Sequence, residues 1–598
     1  MLTEWHAVAP VAITALGQLS WLWLDNVSTI VPDPYLDEVF HIRQAQTYCA
    51  GDFARWDPKI TTPPGLYILS YAVFKVTGRC STFDLRALNL FLMLGVYLVT
   101  LLISTGQSSS MQQQVESRAI SRIKRDHRPS QHSRLQATLY QGHTALNVAL
   151  FPPLFFFSAL YYTDVASTLL VLLSYYHFIK SYHDGGPGLV SNVLTVLYGT
   201  TSLLFRQTNI FWVALFPAGL AVIGALKDMT MKQRELGGVK SNALSEVLRT
   251  SWEDSVVYDI PVRNAYVEDY MKVALSLAVT TVRNVQTVFR VLVPYLTILG
   301  IFGAFVLWNG GVVLGDKSNH IATLHLPQML YLWPYVTFFS FPLIYPYFLQ
   351  GFIALIAGTP TARSLEFLLV FSRNRVLPRF HVAAGFFLAA LPVIRFNTIV
   401  HPFTLADNRH YMFYVFRLLN RYPVTKYLAA PVYFVCGWAI VQSLGGPLRQ
   451  MFSAENLTSA SSQFKANRGE RMLSRPSEGE SCKVSFVVVW LATTALTLVT
   501  APLVEPRYFI LPWLMWRLNV PSPASSSLPE NNGESGASAS QTSKGWADIK
   551  SVLWSKHDHR LWLETAWFLI VNAVTGHVFL YRTFEWPQEP GRVQRFMW

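Results

Sequence analysis

Residues 31–67 read VPDPYLDEVFHIRQAQTYCAGDFARWDPKITTPPGLY and follow directly on the first long apolar run of the chain. Carboxylates, a histidine and several cations are spread along this segment, which is therefore too polar to lie in lipid. Two early prolines predict a helix that carries Asp37 in its first turn, where a helix N-terminus favours an ionised carboxylate. On that helix Asp37, His41 and Gln44 recur at i, i+4 and i+7 and form one polar stripe. We interpret the segment as a catalytic loop at a membrane surface.

The chain as a whole is too apolar for a soluble protein of 598 residues, because 51% of it is hydrophobic and only 14% is charged. Apolar residues cluster in runs of roughly 16–25, the length that crosses a bilayer core of about 30 Å. The first run has no basic start and no cleavage site, so we interpret it as a retained span. These features predict an all-α polytopic membrane protein with about 12–14 transmembrane helices in one membrane domain. The twelve spans that we assign cover residues 7–30, 83–105, 144–162, 164–179, 189–205, 209–226, 288–308, 328–357, 381–400, 427–445, 484–504 and 561–581.

The formal net charge of +13 collects in loops between spans, so it indicates membrane sidedness and not nucleic-acid binding. The positive-inside bias predicts that loops 106–143, 227–287 and 446–483 are cytosolic and that loop 31–82 lies on the far side. This arrangement requires residues 65–77 to form an interfacial amphipathic helix that does not cross. With twelve spans both termini are cytosolic. The short run 507–517 is ambiguous, and if it crosses, the polar loop 518–560 and everything after it change side.

The cysteines do not indicate a metal site, and they leave open whether the chain contains a disulfide. Four cysteines without a CxxC pair argue against a metal cluster. Cys49 and Cys80 fall in the same non-membrane loop, where either a disulfide or two free thiols would fit.

Five unusual polar segments fall on the far side in this topology. Each begins or ends an apolar span, where a charge is costly unless it has a task or a partner. A single such charge is explained by a side chain that snorkels to the interface, but five together indicate a shared site. The segments are residues 31–82, 206–209, 315–328, 401–411 and 505–508.

The residue types in these segments suit transfer from a phosphate ester to a hydroxyl group. Asp37 and Glu38 are the candidate general bases, and later cations are candidates to bind a phosphate. Adjacent carboxylates on a helix point apart, so we predict no metal site. Asp164, between two spans, is interpreted as a helix cap. The predicted substrate-binding residues are His41, Gln44, Trp56, Asp57, Arg206, Gln207, Asn209, Lys317, His320, His325, Asp407, Arg409, His410, Glu505, Arg507 and Tyr508.

The motifs LDEVFHIRQAQTYCAGDFARWDPKITTPPGLY, LFRQTNIFW, GDKSNHIATLHLPQ, HPFTLADNRHYMFY and EPRYFILP resemble one family closely. It is the dolichyl-phosphate-glucose-dependent α-1,2-glucosyltransferase family of the endoplasmic reticulum membrane, which adds the terminal glucose to the lipid-linked oligosaccharide of N-glycosylation. The tail QRFMW resembles that family too.

The resemblance implies a fold of the GT-C type with a luminal active site. The implied donor is dolichyl phosphate glucose, and the implied acceptor is a diphosphodolichol oligosaccharide that already carries two glucoses. A β-linked donor and an α-linked product imply one inverting displacement with one base. The family's acidic residue in the first luminal loop maps onto Asp37 or Glu38, and we favour Asp37 because it shares a helix face with His41. Arg409 and His410, then Lys317 and Arg507, are the expected partners of the leaving phosphate, without a metal or cofactor.

Two other functions stay open on the residues alone. A mannosyltransferase of the same fold that uses dolichyl phosphate mannose would need almost the same site. A membrane transporter would instead place ionisable residues in mid-span along a pathway, whereas the charges here stand at span ends.

Overall fold

The described part of the chain is built almost entirely of helices. A computed structural model describes residues 2–120, 131–183, 186, 188–233, 243–317, 323–356, 378–400, 402–446, 481–501, 503–521, 557–587 and 589–598. Within these ranges the only strands form a two-stranded antiparallel sheet, Phe584–Trp586 with Glu589–Gln594. The predicted all-α class is confirmed. His320 and most of the predicted loops 446–483 and 518–560 lie outside the described residues, as do 121–130 and 234–242.

Helices occur along the whole described part of the chain. Those of the first half are Leu2–Ile30, Glu38–Cys49, Gly65–Thr77, Thr82–Ile120, Gln131–Ala149, Pro152–Phe156, Thr163–His183, Leu189–Leu203, Phe216–Gln233, Leu244–Glu253, Val267–Arg283 and Val285–Asn309. Those of the second half are Gln328–Ile356, Phe380–Phe396, Pro402–Ala406, Tyr411–Leu419, Thr425–Leu428, Ala430–Ser443, Val484–Leu498, Ile510–Leu518 and His559–Tyr581. Short 3-10 helices cover Phe157–Ala159, Gln207–Asn209, Val262–Asn264 and Pro506–Phe509, and a π-helix covers Phe211–Leu215.

Membrane-spanning character is clearest for a few of these helices. Four described helical segments are long and apolar enough to cross a bilayer, namely Thr82–Gln107, Gln207–Met229, Val285–Asn309 and His559–Tyr581. Shorter apolar helices of 10–17 residues accompany them, among them Leu189–Leu203, Phe380–Phe396 and Val484–Leu498. A polytopic membrane protein is confirmed by this pattern.

The first polar loop folds into two helices joined to the next long helix. The helix predicted to include Asp37 begins one residue later, at Glu38, because Leu36 adopts a left-handed φ of 54° that interrupts helical geometry. Helix Gly65–Thr77 has 13 residues and is about 20 Å long, which is too short to cross the hydrocarbon core. A disulfide joins Cys49 to Cys80 and resolves the choice that the sequence leaves open.

Gly65 shows why the first loop docks where it does. Its N–H donates to the carbonyl of Leu204 at 2.8 Å, and a Cβ at this position would lie 2.5 Å from the same oxygen. Only glycine permits this approach. The contact brings the first loop against the segment that begins with Arg206.

One predicted span is misplaced. The span 144–162 is wrong, because the helix ends at Ala149 and Pro152 and Pro153 then begin a five-residue helix. Proline has no N–H to continue a helix and forces Phe151 before it into an extended conformation, with φ −53° and ψ 117°. The next long helix starts at Thr163, so Asp164 sits in its first turn.

The side assigned to the C-terminal end is also wrong. Arg595 is hydrogen-bonded to Tyr35, next to Asp37, and Met597 lines the same cleft as Asp37. The twelve-span count fails at the ambiguous run 507–517, which folds into Pro506–Phe509 and Ile510–Leu518 and runs back into the bundle, where Arg517 pairs with Glu564. This extra pass brings the residues after the last helix to the Asp37 end of the bundle.

Candidate active site

Three of the five predicted segments meet in one cleft. The cleft encloses about 230 Å³ and lies at the Asp37 end of the bundle. Both charged and apolar residues line it, a composition that suits a ligand with a charged head and an apolar chain. Its walls are Leu36, Asp37, Tyr162, Thr404, Asp407, Arg409, His410, Met412, Phe413, Leu503, Val504, Glu505, Pro506, Arg507 and Met597.

Asp37 is the accessible carboxylate of the predicted pair. It occupies the N-cap position of helix Glu38–Cys49, and its side chain is 55% exposed. Its Oδ2 lies 3.6 Å from Nη1 of Arg507. The helix N-terminus and the guanidinium both place positive potential beside this carboxylate. Asp37 therefore offers a free carboxylate oxygen to a molecule in the cleft.

Glu38 stabilises the fold of the first loop through buried hydrogen bonds. Its side chain is fully buried and pairs with Arg86, with Oε1 at 2.8 Å from Nε and Oε2 at 2.6 Å from Nη2. The backbone N–H groups of Tyr161 and Tyr35 donate to the two carboxylate oxygens at 2.8 and 3.2 Å. These bonds use the acceptor capacity of Glu38, so the geometry leaves Asp37 as the candidate base.

Arg507 lies at the centre of a cluster of carboxylates. Its Nη2 is 2.7 Å from Glu505, and its Nη1 is near both Asp37 and Asp164, at 3.6 and 3.9 Å. Burial acts to lower the pKa of Arg507, but the charges of Glu505, Asp164 and Asp37 outweigh it and raise that pKa well above its usual value. Arg507 is therefore a permanent cation, held in place from three sides.

Asp164 lies beside the cleft and approaches Arg507, a placement that the sequence did not predict. Its side chain is 1% exposed and lies 3.1 Å from Arg206 and 3.9 Å from Arg507. Neither carboxylate oxygen has a well-aligned hydrogen-bond donor among the described residues. The interpretation as a helix cap thus misses its main contacts. The sequence contains a feature that indicates such a role, because an ionisable residue between two apolar runs is a candidate functional residue.

Arg409 also lines the cleft, where several contacts fix its guanidinium. Its Nε and Nη2 donate to the two oxygens of Asp407, both at 2.8 Å, and its Nη1 donates to Gln594 at 3.1 Å. The guanidinium also lies over the ring of Trp586, 4.3 Å from its centre. Burial acts to raise the pKa of Asp407, but its bonds to Arg409 and the charge of His410 outweigh this and lower that pKa. The pair is ionised and rigid.

His41, Gln44 and Asp57 lie beneath the cleft and hold the first loop together. His41 is buried, and its Nδ1 is 2.6 Å from the hydroxyl of Tyr67. Burial lowers the pKa of His41, so the ring is neutral near pH 7. Gln44 accepts from the N–H of Asp57 at 2.9 Å and donates to the carbonyl of Arg55 at 2.8 Å.

The 206–209 segment supports the site from one side. Gln207 donates to the carbonyl of Thr61 at 2.8 Å, and Asn209 is buried among Ser167 and Ser202. These amides connect the first loop to the helix core and do not line the cleft. Arg206 is the residue of this segment that approaches the cleft. It pairs with Asp164, which in turn lies 3.9 Å from Arg507.

The segment before helix Gln328–Ile356 lies off the cleft. Lys317 is exposed, and its ammonium donates to the carbonyl of Asn309. His325 is fully buried and accepts from the N–H of Ile399 at 3.3 Å, and burial lowers its pKa to about 4. A neutral histidine and a distant lysine are not placed to face a phosphate in the cleft. The other predicted residues are the half-buried Trp56 and Tyr508 and the undescribed His320.

The described residues contain no group of three or more His, Cys, Asp or Glu side chains arranged to hold a metal ion. The chemistry that the cleft itself offers is a carboxylate facing fixed cations. That arrangement suits a proton transfer coupled to the departure of an anion.

Comparison with known proteins places this site in a family. The DIE2/ALG10 family profile matches residues 31–518. A protein of Aspergillus fumigatus is 40% identical over 96% of this chain and 96% of its own length. Relatives in Mus musculus and Homo sapiens are 32% and 29% identical, each over 98% of both chains.

All three relatives carry the name Dol-P-Glc:Glc(2)Man(9)GlcNAc(2)-PP-Dol alpha-1,2-glucosyltransferase. No solved structure matches the chain. The matched residues include all three segments that line the cleft apart from Met597. The family resemblance predicted from the motifs is confirmed. The chain belongs to the DIE2/ALG10 family.

Proposed function

We propose that this protein transfers glucose from dolichyl phosphate glucose to the diglucosylated lipid-linked oligosaccharide and forms its terminal α-1,2-linked glucose. Support comes from the names of the relatives and from one observation of the structure. A half-exposed carboxylate, Asp37, lines one cleft together with Arg507, Arg409 and His410, although these residues come from three distant segments.

The reaction is a single inverting displacement. Asp37 removes the proton of the acceptor hydroxyl as that oxygen attacks the anomeric carbon of the donor glucose. The bond from that carbon to the phosphate oxygen breaks on the opposite face, and dolichyl phosphate leaves with the electron pair. The leaving group is already a weak base, so cations suffice to stabilise it and no protein acid is needed.

Arg507, Arg409 and His410 are assigned to the leaving phosphate. Each arginine is oriented by its own carboxylate two residues before it, Glu505 or Asp407, and keeps further N–H groups for a ligand. Fixed cations of this kind need no reorganisation during the reaction. Lys317 lies off the cleft, and the phosphate role predicted for it is not retained in this proposal.

We place the active site on the luminal face of the endoplasmic reticulum membrane. The Cys49–Cys80 disulfide at the Asp37 end supports an oxidising compartment. The basic loops predicted to be cytosolic carry the positive charge on the other side. The proposed site uses no metal or cofactor.

The test uses microsomes that contain the full chain and the diglucosylated acceptor. Radiolabelled dolichyl phosphate glucose should give labelled product with an α-1,2 linkage, and EDTA should leave the rate unchanged. Transfer from dolichyl phosphate mannose alone would establish the mannosyltransferase alternative and refute the proposal. Inhibition by EDTA, reversed by added Mn²⁺ or Mg²⁺, would refute the metal-free mechanism.

A further inference from the structure

The residues after the last helix fold back over the candidate active site. We call the described residues 584–587 and 589–598 the closing segment. It begins with the antiparallel strands Phe584–Trp586 and Glu589–Gln594 and continues to Trp598. Met597 is 1% exposed and forms part of the cleft wall. The function proposed above does not by itself require any of these residues.

One set of contacts ties the closing segment to the Asp37 loop. The hydroxyl of Tyr35, two residues before Asp37, donates to the carbonyl of Arg595 at 2.9 Å and accepts from its N–H at 2.8 Å. Burial raises the pKa of Tyr35 to about 12, so this hydroxyl keeps its proton. The Arg595 guanidinium donates to the carbonyls of Phe579 and Leu580 at the end of the last helix, at 2.9 and 2.7 Å.

A second set ties it to the loop that carries Arg409. Gln594 accepts from the Arg409 guanidinium, and the Trp586 ring lies under it at 4.3 Å. The Trp586 indole N–H donates to Asn408 at 2.6 Å. The backbone completes the connection, since the N–H of Met597 donates to the carbonyl of Arg409 at 2.9 Å.

Two further contacts join the closing segment to the residues that follow Arg409. The N–H of Tyr411 donates to the carbonyl of Met597 at 3.3 Å, and the ring Nδ1 of His410 lies 3.3 Å from the carbonyl of Trp598. The Trp598 ring packs against Tyr411, with ring centres 4.9 Å apart. Arg409 and His410 are thus contacted by the closing segment through side chain and backbone together.

We infer that the closing segment is a positioning element of the active site, which holds Arg409 and His410 opposite Asp37 at the spacing that the donor phosphate needs. The inference rests on the proposed function. Gln594 and Trp586 are its positioning residues, because they act through Arg409. The loops at Asp37 and at Arg409 are far apart in the sequence, and the closing segment contacts both.

This role makes a prediction that a purely structural role does not. Loosening Arg409 removes interactions with the donor phosphate and leaves the acceptor side of the cleft intact. Losing one hydrogen bond to a charged group changes affinity by about tenfold or more. The KM for dolichyl phosphate glucose should therefore rise about tenfold or more, while the KM for the oligosaccharide acceptor stays unchanged.

The experiment compares Gln594→Ala, Trp586→Ala and a deletion of residues 596–598 with the wild-type chain, all purified at full length in detergent. Glu585→Gln and Arg592→Gln are the matched controls, because both are exposed residues of the same hairpin. Steady-state kinetics give both KM values for each variant. Hydrogen exchange at residues 405–411 reports the contact independently of activity.

A raised donor KM with faster exchange at 405–411, and control variants that behave as wild type, supports the inference. Unchanged constants in Gln594→Ala and Trp586→Ala overturn it, and so does a loss of thermal stability with both KM values intact. A wild-type chain that transfers no glucose overturns the proposed function instead. The exchange measurement still decides in that case whether the closing segment holds residues 405–411.

Discussion

We expect Asp37→Asn to remove most of the glucosyl transfer while leaving the protein folded. Asparagine has the shape of aspartate but cannot accept the proton of the acceptor hydroxyl. General-base catalysis by a positioned side chain contributes about 10²–10⁴-fold to a rate. The kcat of Asp37→Asn should therefore fall by about that factor.

The structure also sets the size of the effect on stability. The Asp37 side chain is 55% exposed, and its ion pair with Arg507 is 3.6 Å long. Exposed ion pairs contribute about 0–1 kcal/mol, and Arg507 keeps Glu505 and Asp164 as partners in the variant. The free energy of unfolding should change by no more than about 1 kcal/mol.

Glu38→Gln is the matched control at the neighbouring position. It leaves Arg86 buried without its counter-ion, and breaking such a pair costs about 3–5 kcal/mol. We expect this variant to lose abundance and thermal stability and to keep its activity per folded molecule. The two substitutions should thus separate catalysis from folding at adjacent residues.

The assay measures steady-state transfer from labelled dolichyl phosphate glucose, and dividing the maximal rate by the amount of folded protein from size-exclusion chromatography gives kcat. A kcat of Asp37→Asn within threefold of wild type, at equal amounts of folded protein, would show that no proton is taken by this carboxylate. If Asp37→Asn keeps its kcat and Glu38→Gln is folded but inactive, the general base is Glu38 and not Asp37.

Four further predictions test other parts of the site and fold. Asp164→Asn should lower kcat about tenfold or more, because a neutral amide no longer holds Arg507 in place; wild-type kcat in a folded variant would contradict this. Cys80→Ser should lower the free energy of unfolding by about 3–4 kcal/mol, since the disulfide closes a loop of sequence separation 31; an unchanged melting temperature under non-reducing conditions would argue against the bridge. Burial lowers the pKa of His41 below the unfolded value of about 6.5, so the unfolded chain binds more protons and stability should fall as pH drops below about 6.5. Thermal unfolding of wild type and His41→Gln at pH 7.5 and 5.5 measures this, and an identical pH slope in both would rule it out. A glycosylation acceptor engineered at position 587 in the hairpin turn should be used in microsomes, because that turn belongs to the Asp37 end, whereas an unmodified acceptor would restore the twelve-span topology.

Helix existence and the charged residues that line the cleft were predictable, because both follow from patterns along the chain. Apolar runs of bilayer length and the charges at their ends depend only on local composition. Asp37, Asp407, Arg409, His410, Glu505 and Arg507 were all predicted, and all line the cleft. Span 144–162 failed on a local feature, the Pro152–Pro153 pair, that overrides hydropathy.

The roles of adjacent residues were not predictable, because they depend on partners far away in the sequence. Glu38 is structural since Arg86 and the N–H of Tyr161 reach it, and no local pattern shows this. The run 507–517, which contains helix Ile510–Leu518, stayed ambiguous for a similar reason. Its Arg517 argues against a membrane pass until its partner Glu564 is known.

That partner has a consequence for how the protein enters the membrane. An arginine costs about 2.5–3.5 kcal/mol at the centre of a lone inserted helix, and Glu564 is synthesised 47 residues after Arg517. We expect helix Ile510–Leu518 to stay at the translocon, not yet inserted, until helix His559–Tyr581 has been synthesised. Arg517 can then pair with Glu564, and the two helices insert together. Chains stalled on the ribosome before residue 557 should then leave residues 519–521 reachable from the lumen, and chains released at full length should not. Biogenesis of this enzyme would be complete only when its last helix has emerged.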